Sequence, residues 1–396
     1  MKNNRTFLEK LLDGAEVEWK PLIKVASLTR GRVISKEYLA NNLGDYPVYS
    51  SQTVNNGEIG KINSFDFDGE FVSWTTDGAN AGTVFYRSGK FSITNVCGLI
   101  KIQNNLELNY KFLFYWLSIE AKNHVYSGMG NPKLMSHQME KILIPIPPLS
   151  VQTEIVKILD ALTALTSELT SELTLRRKQY EYYREKLLSE EELGKVGFEW
   201  RTLEELVEKT QSIKWKNNTK TYRYIDLTSV DRENNSITGT IEINALNAPS
   251  RAQKIVKEND VIFATTRPTQ QRVALISKEF SDEIASTGYC VLRANTKIVL
   301  PKWLFYFLST INFKNYVEEN QSGSAYPAIS DSKVKEFRIP VPEITIQQRI
   351  IEKLDKFYSL TNSLLHGLPK EINNRKKQYS YYQKELLNFL GDNIYE

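Results

Sequence analysis

Cysteine and histidine are nearly missing from this chain, with two of the first and three of the second among 396 residues. So few cysteines exclude a disulfide framework, and the scattered His124, His137 and His366 give no ligand spacing for zinc. Nor does any of them pair with a nucleophile in the manner of a covalent catalyst. Long apolar runs are missing too: nothing approaches the ~18 uninterrupted residues of a membrane span. The opening MKNNRTFLEKLLDG is charged and amphipathic and lacks the apolar core of a secretory signal. A soluble chain with a cytoplasmic address and no membrane partner is expected. Charge of one sign is also lacking, since 51 basic residues face 47 acidic ones and leave a net +4. That balance neither demands nor excludes a polyanionic partner. The length suggests two or three domains, and 41% hydrophobic with 25% charged residues is a globular composition.

Sequence signatures of catalysis are absent as well. An amino-methyltransferase needs an Asn/Asp-Pro-Pro-aromatic segment to hold a flipped base, and Asn131-Pro132-Lys133 is the nearest string. No glycine loop ending in Lys-Ser/Thr cradles a nucleotide phosphate. Glu18-Trp19-Lys20 resembles the end of a metal-dependent nuclease site, but Glu199-Trp200-Arg201 echoes it and no acidic partner stands upstream, so it reads as structural. Cys97 and Cys290 fall at equivalent strand positions, as small core residues do. No catalytic residue, metal ligand or cofactor site is expected in this chain.

What is present is a tandem repeat. IPIPPLSVQTEIVKILD at 144–160 is matched by IPVPEITIQQRIIEKLD at 339–355: Ile144, Pro145, Pro147, Gln152, Ile155, Leu159 and Asp160 recur as Ile339, Pro340, Pro342, Gln347, Ile350, Leu354 and Asp355. About one identity is expected by chance in such a window. RKQYEYYREKLL at 177–188 then matches KKQYSYYQKELL at 376–387, with four residues gained between the blocks in the second copy. Fainter echoes include Thr94 and Cys97 against Thr287 and Cys290, and FLFYWLS against WLFYFLS.

Each copy therefore runs as globular domain, proline-rich hinge and helix. GEFVSW, GTVFY, NDVIFAT and RVALI alternate between turn residues and read as strands, whereas LNYKFLFYWLS and PKWLFYFLS read as helices. Beyond each hinge the apolar period becomes 3.5. One seam runs through Ile155, Leu159, Leu162, Thr166, Leu169, Leu173, Arg176, Tyr180, Tyr183 and Leu187. The other runs through Ile350, Leu354, Phe357, Thr361, Leu364, Leu368, Ile372, Arg375, Tyr379, Tyr382 and Leu386. Such seams need partners, so the two helices are expected to pack antiparallel; the alternative is that each docks only on its own domain. Gly367 and Pro369 should kink or break the second helix near its middle, while LTSELTSELT in the first has no breaker. The expected fold class is α/β: two globular domains of mixed sheet plus helices, at 1–150 and 196–345, with long antiparallel coiled-coil helices at 151–195 and 346–396, as an internal pseudo-two-fold repeat.

Two similar surfaces on a pseudo-two-fold frame suit a duplex with two half-sites. The candidate contacts are loops. TTDGANAG at 75–82 offers Thr75, Thr76 and Asn80, and TTRPTQQR at 265–272 offers Thr266, Arg267, Gln270, Gln271 and Arg272. Amide side chains suit adenine edges, and arginine suits guanine or phosphate. YPVYSSQTVNNG adds Ser50, Ser51 and Gln52, with Lys36 and Lys61 nearby, and SIKWKNNTKTYRY adds Lys214, Lys216 and Arg223. SGMGNPK and SGSAYPA precede the hinges and contribute Lys133 and Tyr326. Ordinary polar turns, or strands packing on a core, are the competing readings of these segments.

Taken together, the duplicated hinge-helix blocks, the R/K-K-Q-Y-x-Y-Y signature and the LEKLLDGAEVEW opening resemble the specificity subunits of type I restriction-modification enzymes, over nearly the whole chain. The resemblance implies that each lobe is a target recognition domain reading one half of a bipartite, asymmetric DNA site. It implies helices that act as a ruler, with LTSELTSELT similar to a short tandem repeat that tunes the gap. It further implies two methyltransferase subunits carrying S-adenosylmethionine, docked on the helical regions marked by Gln152, Ile155, Leu159, Leu169, Tyr180, Tyr183, Gln347, Ile350, Leu354, Tyr379 and Tyr382. Motor-nuclease subunits using ATP and Mg²⁺ would join that core. A duplicated protein scaffold, or a nuclease or methyltransferase with an unrecognised site, are the alternatives.

Overall fold

The computed structural model describes residues 5–128, 130–362 and 367–389. Leu364 of the second seam and His366 lie outside the described residues. The chain forms two compact units, Met1–Thr166 with Arg375–Glu396, and Ser167–Asn374.

In the first unit, six strands are ordered Ala26–Arg30, Cys97–Ile102, Phe67–Thr75, Val84–Ile93, Leu43–Tyr49 and Glu58–Ile62. All neighbours are antiparallel except Leu43–Tyr49, which runs parallel to Val84–Ile93. Residues 71–75 are buried without alternation, as in a strand covered on both faces. The helix Tyr110–Glu120 packs on this sheet, started by Asn109, whose side chain accepts from the amides of Lys111 and Phe112.

The second unit repeats the scheme with changes. Val207–Glu208, Tyr289–Ala294, Val261–Ala264 and Val273–Leu275 form one sheet, and Gln211–Ser212, Ala252–Ile255, Ile284–Ser286, Tyr222–Ile225 and Ile241–Ile243 another. Where the first unit has one ten-residue strand, Val84–Ile93, the second has two short ones, separated by the 3-10 turn Lys278–Phe280. The parallel pairing survives this break, now between Tyr222–Ile225 and Ile284–Ser286. Cys97 and Cys290 lie buried in apolar clusters, and burial pushes their thiols up to about 11 and about 12.

A two-stranded ribbon in each unit ties the start of the domain to its hinge. Glu18 pairs with Ile146 and Trp19 with Pro145; Glu199 pairs with Val341 and Trp200 with Pro340. The repeated Glu-Trp pairs thus hold the same strand position in both copies, which gives them a structural role.

Beyond the hinges stand the central helix, Leu149–Leu187, and two tail helices, Ile344–Asn362 and Gly367–Leu386. The central helix is continuous for 39 residues. The break in the tail comes at the expected glycine: Gly367 has φ of +75°, and a Cβ there would sit 2.6 Å from the Leu360 carbonyl oxygen. Pro369 falls in the first turn of the following helix, where its missing N–H leaves no bond unmade.

Each unit holds segments of both helical regions. In the first, Ile155 and Leu159 share a buried cluster with Leu386 and Leu387, and Tyr382 stands edge-on to Phe7 at 6.3 Å. In the second, Tyr180 meets Tyr358 at 6.0 Å and Tyr183 stacks on Phe357 at 5.2 Å, so the two helices run in opposite directions. The helices also dock on the globular domains, so antiparallel pairing and docking coexist. Gln152 and Gln347 are fully buried and make equivalent bonds: Gln152 accepts from the Asn109 amide and donates to Glu107 and Pro147 carbonyls, and Gln347 accepts from the Leu300 amide and donates to Ile298 and Pro342 carbonyls. Among the described residues, no helix is long and apolar enough to cross a membrane.

Candidate nucleic-acid interface

The loops singled out by the repeat meet in pairs. In the first unit residues 75–82 lie against the segment before the hinge: Asp77 and Lys133 face each other in an isolated backbone β-bridge, the Gly78 amide donates to the Pro132 carbonyl at 3.0 Å, and the Leu134 amide to the Thr76 carbonyl at 2.9 Å. In the second unit Thr266 bridges Ala328, the Arg267 amide donates to the Pro327 carbonyl at 2.7 Å, and the Ile329 amide to the Thr265 carbonyl at 2.9 Å. One architecture therefore presents two different sets of side chains.

These bonds shift the alignment of the two loops by one residue from that read in the sequence, placing Gly78 opposite Arg267 and Gly82 opposite Gln271. The backbone agrees. Gly78 and Gly82 have φ of +88° and +78°, and Arg267 and Gln271 hold φ of +49° and +48°. Non-glycine residues rarely adopt this left-handed conformation, and two around one 3-10 turn, Pro268–Gln270, concentrate strain at the loop tip.

Burial removes Thr75 and Thr76 from the groups a duplex can touch. Both side chains are inside the fold. The Thr75 hydroxyl donates to the Asn80 carbonyl and accepts from the Thr83 amide, and the Thr76 hydroxyl donates to Asp77 and accepts from Arg30. Asn80 donates to the Ser51 carbonyl at 2.9 Å, which joins this loop to the 50–57 segment. Within that segment Ser50 accepts from Thr94, and Gln52 donates to the Glu58 carbonyl. Lys36, Lys61 and Lys133 are exposed. Lys133 shares the Asp77 edge of the loop, and the contacts above leave Lys36 and Lys61 unconnected to it.

In the second unit Arg267 is exposed and lies over the ring of exposed Tyr326 at 5.6 Å, so a cation and an aromatic face outward together. Arg272 is turned inward, donating to the Leu227 and Val230 carbonyls at 2.9 Å each and to Gln270 at 3.3 Å. Arg223 is engaged by Glu283 at 2.9 Å. Lys214 and Lys216 are exposed on either side of Trp215, whose indole donates to the Ala252 carbonyl. The amide nitrogen of Gln271 is buried with no hydrogen-bond partner among the described residues.

Two arginines that the sequence pattern did not single out belong to the first cluster. Arg30 donates to Thr76 and to the Asn95 carbonyl and lies 3.7 Å from Asp77. Arg87 is buried beneath the 50–57 segment, 3.6 Å from the Tyr49 ring centroid, donating to Ser73 and to the Asn56 carbonyl; burial pushes it down to about 10, which leaves it charged at neutral pH. For Arg30 the available signal was the basic string TRGR at the end of its strand, and for Arg87 there was none.

On the helices, Gln152, Ile155, Leu159, Gln347 and Leu354 face inward, and Tyr180 is buried against Tyr358. Leu169, Ile350, Tyr379 and Tyr382 are half-buried, and Tyr183 is at the border of exposure. The middle tyrosine of each signature is the outward one: Tyr182 and Tyr381 are both 60% exposed.

Comparison with known proteins accords with this architecture. The family model for the type I restriction modification DNA specificity domain matches twice, at residues 16–175 and 195–374. A protein of Haemophilus influenzae assigned as a type I restriction enzyme specificity subunit is 34% identical over 98% of this chain and all of its own length. The EcoR124I/EcoR124II specificity subunit of Escherichia coli is 31% identical, with 97% of each chain covered. The crystal structure of a type I restriction-modification S subunit from M. genitalium shares the fold, with a TM-score of 0.61 over 94% of this chain and 96% of that one, at 16% identity. With two family-model matches spanning most of its length and full-length relatives above 30% identity, the chain belongs to the specificity subunits of type I restriction-modification systems, their non-catalytic DNA-recognition subunits.

Proposed function

We propose that each unit reads one half of a split, asymmetric DNA site, and that the helical regions set the number of unread base pairs between the halves. The observation that carries this reading is the loop pair built alike in both units with different groups at its tip: Gly78 and Lys133 in one, Arg267 and Ala328 in the other. A common frame with different tips is what two unlike half-sites require.

Two methyltransferase subunits dock on the helical regions and bring S-adenosylmethionine; motor-nuclease subunits bring ATP and Mg²⁺, and this chain holds no cofactor of its own. The cytoplasm is the compartment of such a complex. The outward tyrosines Tyr182 and Tyr381 support docking of one subunit per copy, since the same side chain is exposed at the same place in each repeat.

The test is deletion of residues 167–170, one unit of LTSELTSELT, from the complete complex. Four residues span ~6 Å of helix, at most about two base pairs at ~3.4 Å each. A methylation map should keep both half-sites and show a shorter gap. An unchanged gap would refute the ruler, and loss of one half-site would refute separate reading.

A further inference from the structure

A polar clasp, built twice, holds each hinge helix at a second point beyond the buried glutamine. In the first unit Asp160 accepts from the Tyr115 hydroxyl at 2.6 Å through one oxygen and from the Lys111 ammonium at 2.5 Å through the other. In the second, Asp355 accepts from Tyr306 at 2.5 Å and from Lys302 at 2.6 Å in the same division of oxygens. The aspartates recur at an offset of 195, and their partners at an offset of 191, although most of the intervening domain differs.

The buried hydroxyls of Tyr115 and Tyr306 need an acceptor, but the lysine half of each clasp is not explained by stability. The ion pairs are about two-fifths exposed, with side-chain exposures of 40% and 37% in one copy and 44% and 34% in the other. Pairs so open to water add little to folding. What the arrangement supplies is geometry. A carboxylate gripped at both oxygens from the domain helix adds a directional contact to the glutamine and to the apolar docking around Ile155, Leu159 and Leu354, and so restrains the rotation and lean of the hinge helix.

We infer that Asp160 with Tyr115 and Lys111, and Asp355 with Tyr306 and Lys302, are positioning residues that aim the hinge helices and so narrow the range of gap lengths the complex accepts; this rests on the ruler reading above. The lever can be sized. The two attachments stand eight residues apart, about 12 Å along the helix, and the central helix continues about 40 Å beyond the clasp. About 1 Å of slack at Asp160 then swings the far end by about 4 Å, slightly more than one base pair.

The experiment uses the complete complex with its methyltransferase subunits and S-adenosylmethionine, on a duplex library that keeps the half-sites and varies the gap. Tyr115→Phe and Tyr306→Phe each remove one hydroxyl and serve beside Asp160→Asn and Asp355→Asn in case the latter fold poorly. Half-site sequences should stay the same, while preference for the cognate gap over gaps one base pair longer or shorter falls about tenfold. An unchanged gap profile, or methylation reduced equally at every gap, overturns the inference, because a merely structural role gives the second result. Deletion of residues 167–170 runs in parallel: if it shifts the gap while the clasp variants keep one sharp gap, only the clasp falls. If it leaves the gap in place, the ruler and the clasp fall together.

Discussion

Replacing Gln347 by leucine should destabilise the second unit severely. The side chain is fully buried, accepts from the Leu300 amide at 2.9 Å and donates to the Ile298 and Pro342 carbonyls at 3.0 and 2.8 Å. Leucine fills a similar volume but takes the partner from one N–H and two carbonyls, of which the Pro342 carbonyl bond is buried and the Leu300 and Ile298 bonds are part-buried. Each such group costs about 1–3 kcal/mol where it is fully shielded from water, so the variant should lose roughly 3–9 kcal/mol before any gain from the added apolar surface. A domain is stable by only about 5–15 kcal/mol, so the loss brings the unit near its threshold. Urea unfolding monitored by tryptophan fluorescence, with hydrogen exchange at the Leu300 amide as local probe, measures it. Gln152→Leu should do the same to the first unit, whose glutamine makes the equivalent three bonds. A midpoint shift worth less than about 1 kcal/mol in both variants would refute the reasoning, since the orphaned groups would then have found other partners.

Arg267→Gly removes the exposed guanidinium and suits the left-handed backbone, so it should leave melting unchanged or slightly raised while discrimination at one half-site falls by ~1–3 kcal/mol, read as relative methylation of single-base variants. Thr75→Val should lower stability by about 1 kcal/mol in thermal melting without altering the methylated sequence, because its hydroxyl bonds only inside the fold. Cys97 and Cys290, with thiols pushed up to about 11 and about 12, should stay protonated and resist iodoacetamide at pH 8 until denaturant opens the fold. Rapid labelling of the native chain would contradict their burial.

Much of the fold was legible because the repeat repeats function at the level of single bonds. Gln152 and Gln347, Asp160 and Asp355, and the Glu-Trp strands recur because each copy uses them to join domain to hinge in the same way. The tail break was legible from Gly367, whose φ favours glycine. The loop alignment was not. Arg267 and Gln271 occupy left-handed positions where the first copy has glycine, so the expected marker of the turn is missing and the register slips by one. Burial of Thr75 and Thr76 also escaped the pattern, since a threonine's exposure depends on what packs over it from residues far away in sequence. The same limit hid Arg30 and Arg87, whose partners lie tens of residues distant. Periodicity gave the seam of the tyrosine signature, but which tyrosine turns outward, Tyr182 or Tyr180, depended on the packing partner.

The most direct measurement is methylome sequencing of cells expressing this chain with its methyltransferase subunit. Two short, unlike half-sites separated by a fixed number of unread base pairs, each with one methylated adenine, are the predicted result. A single uninterrupted motif, or methylation indifferent to sequence, would contradict two separate reading units.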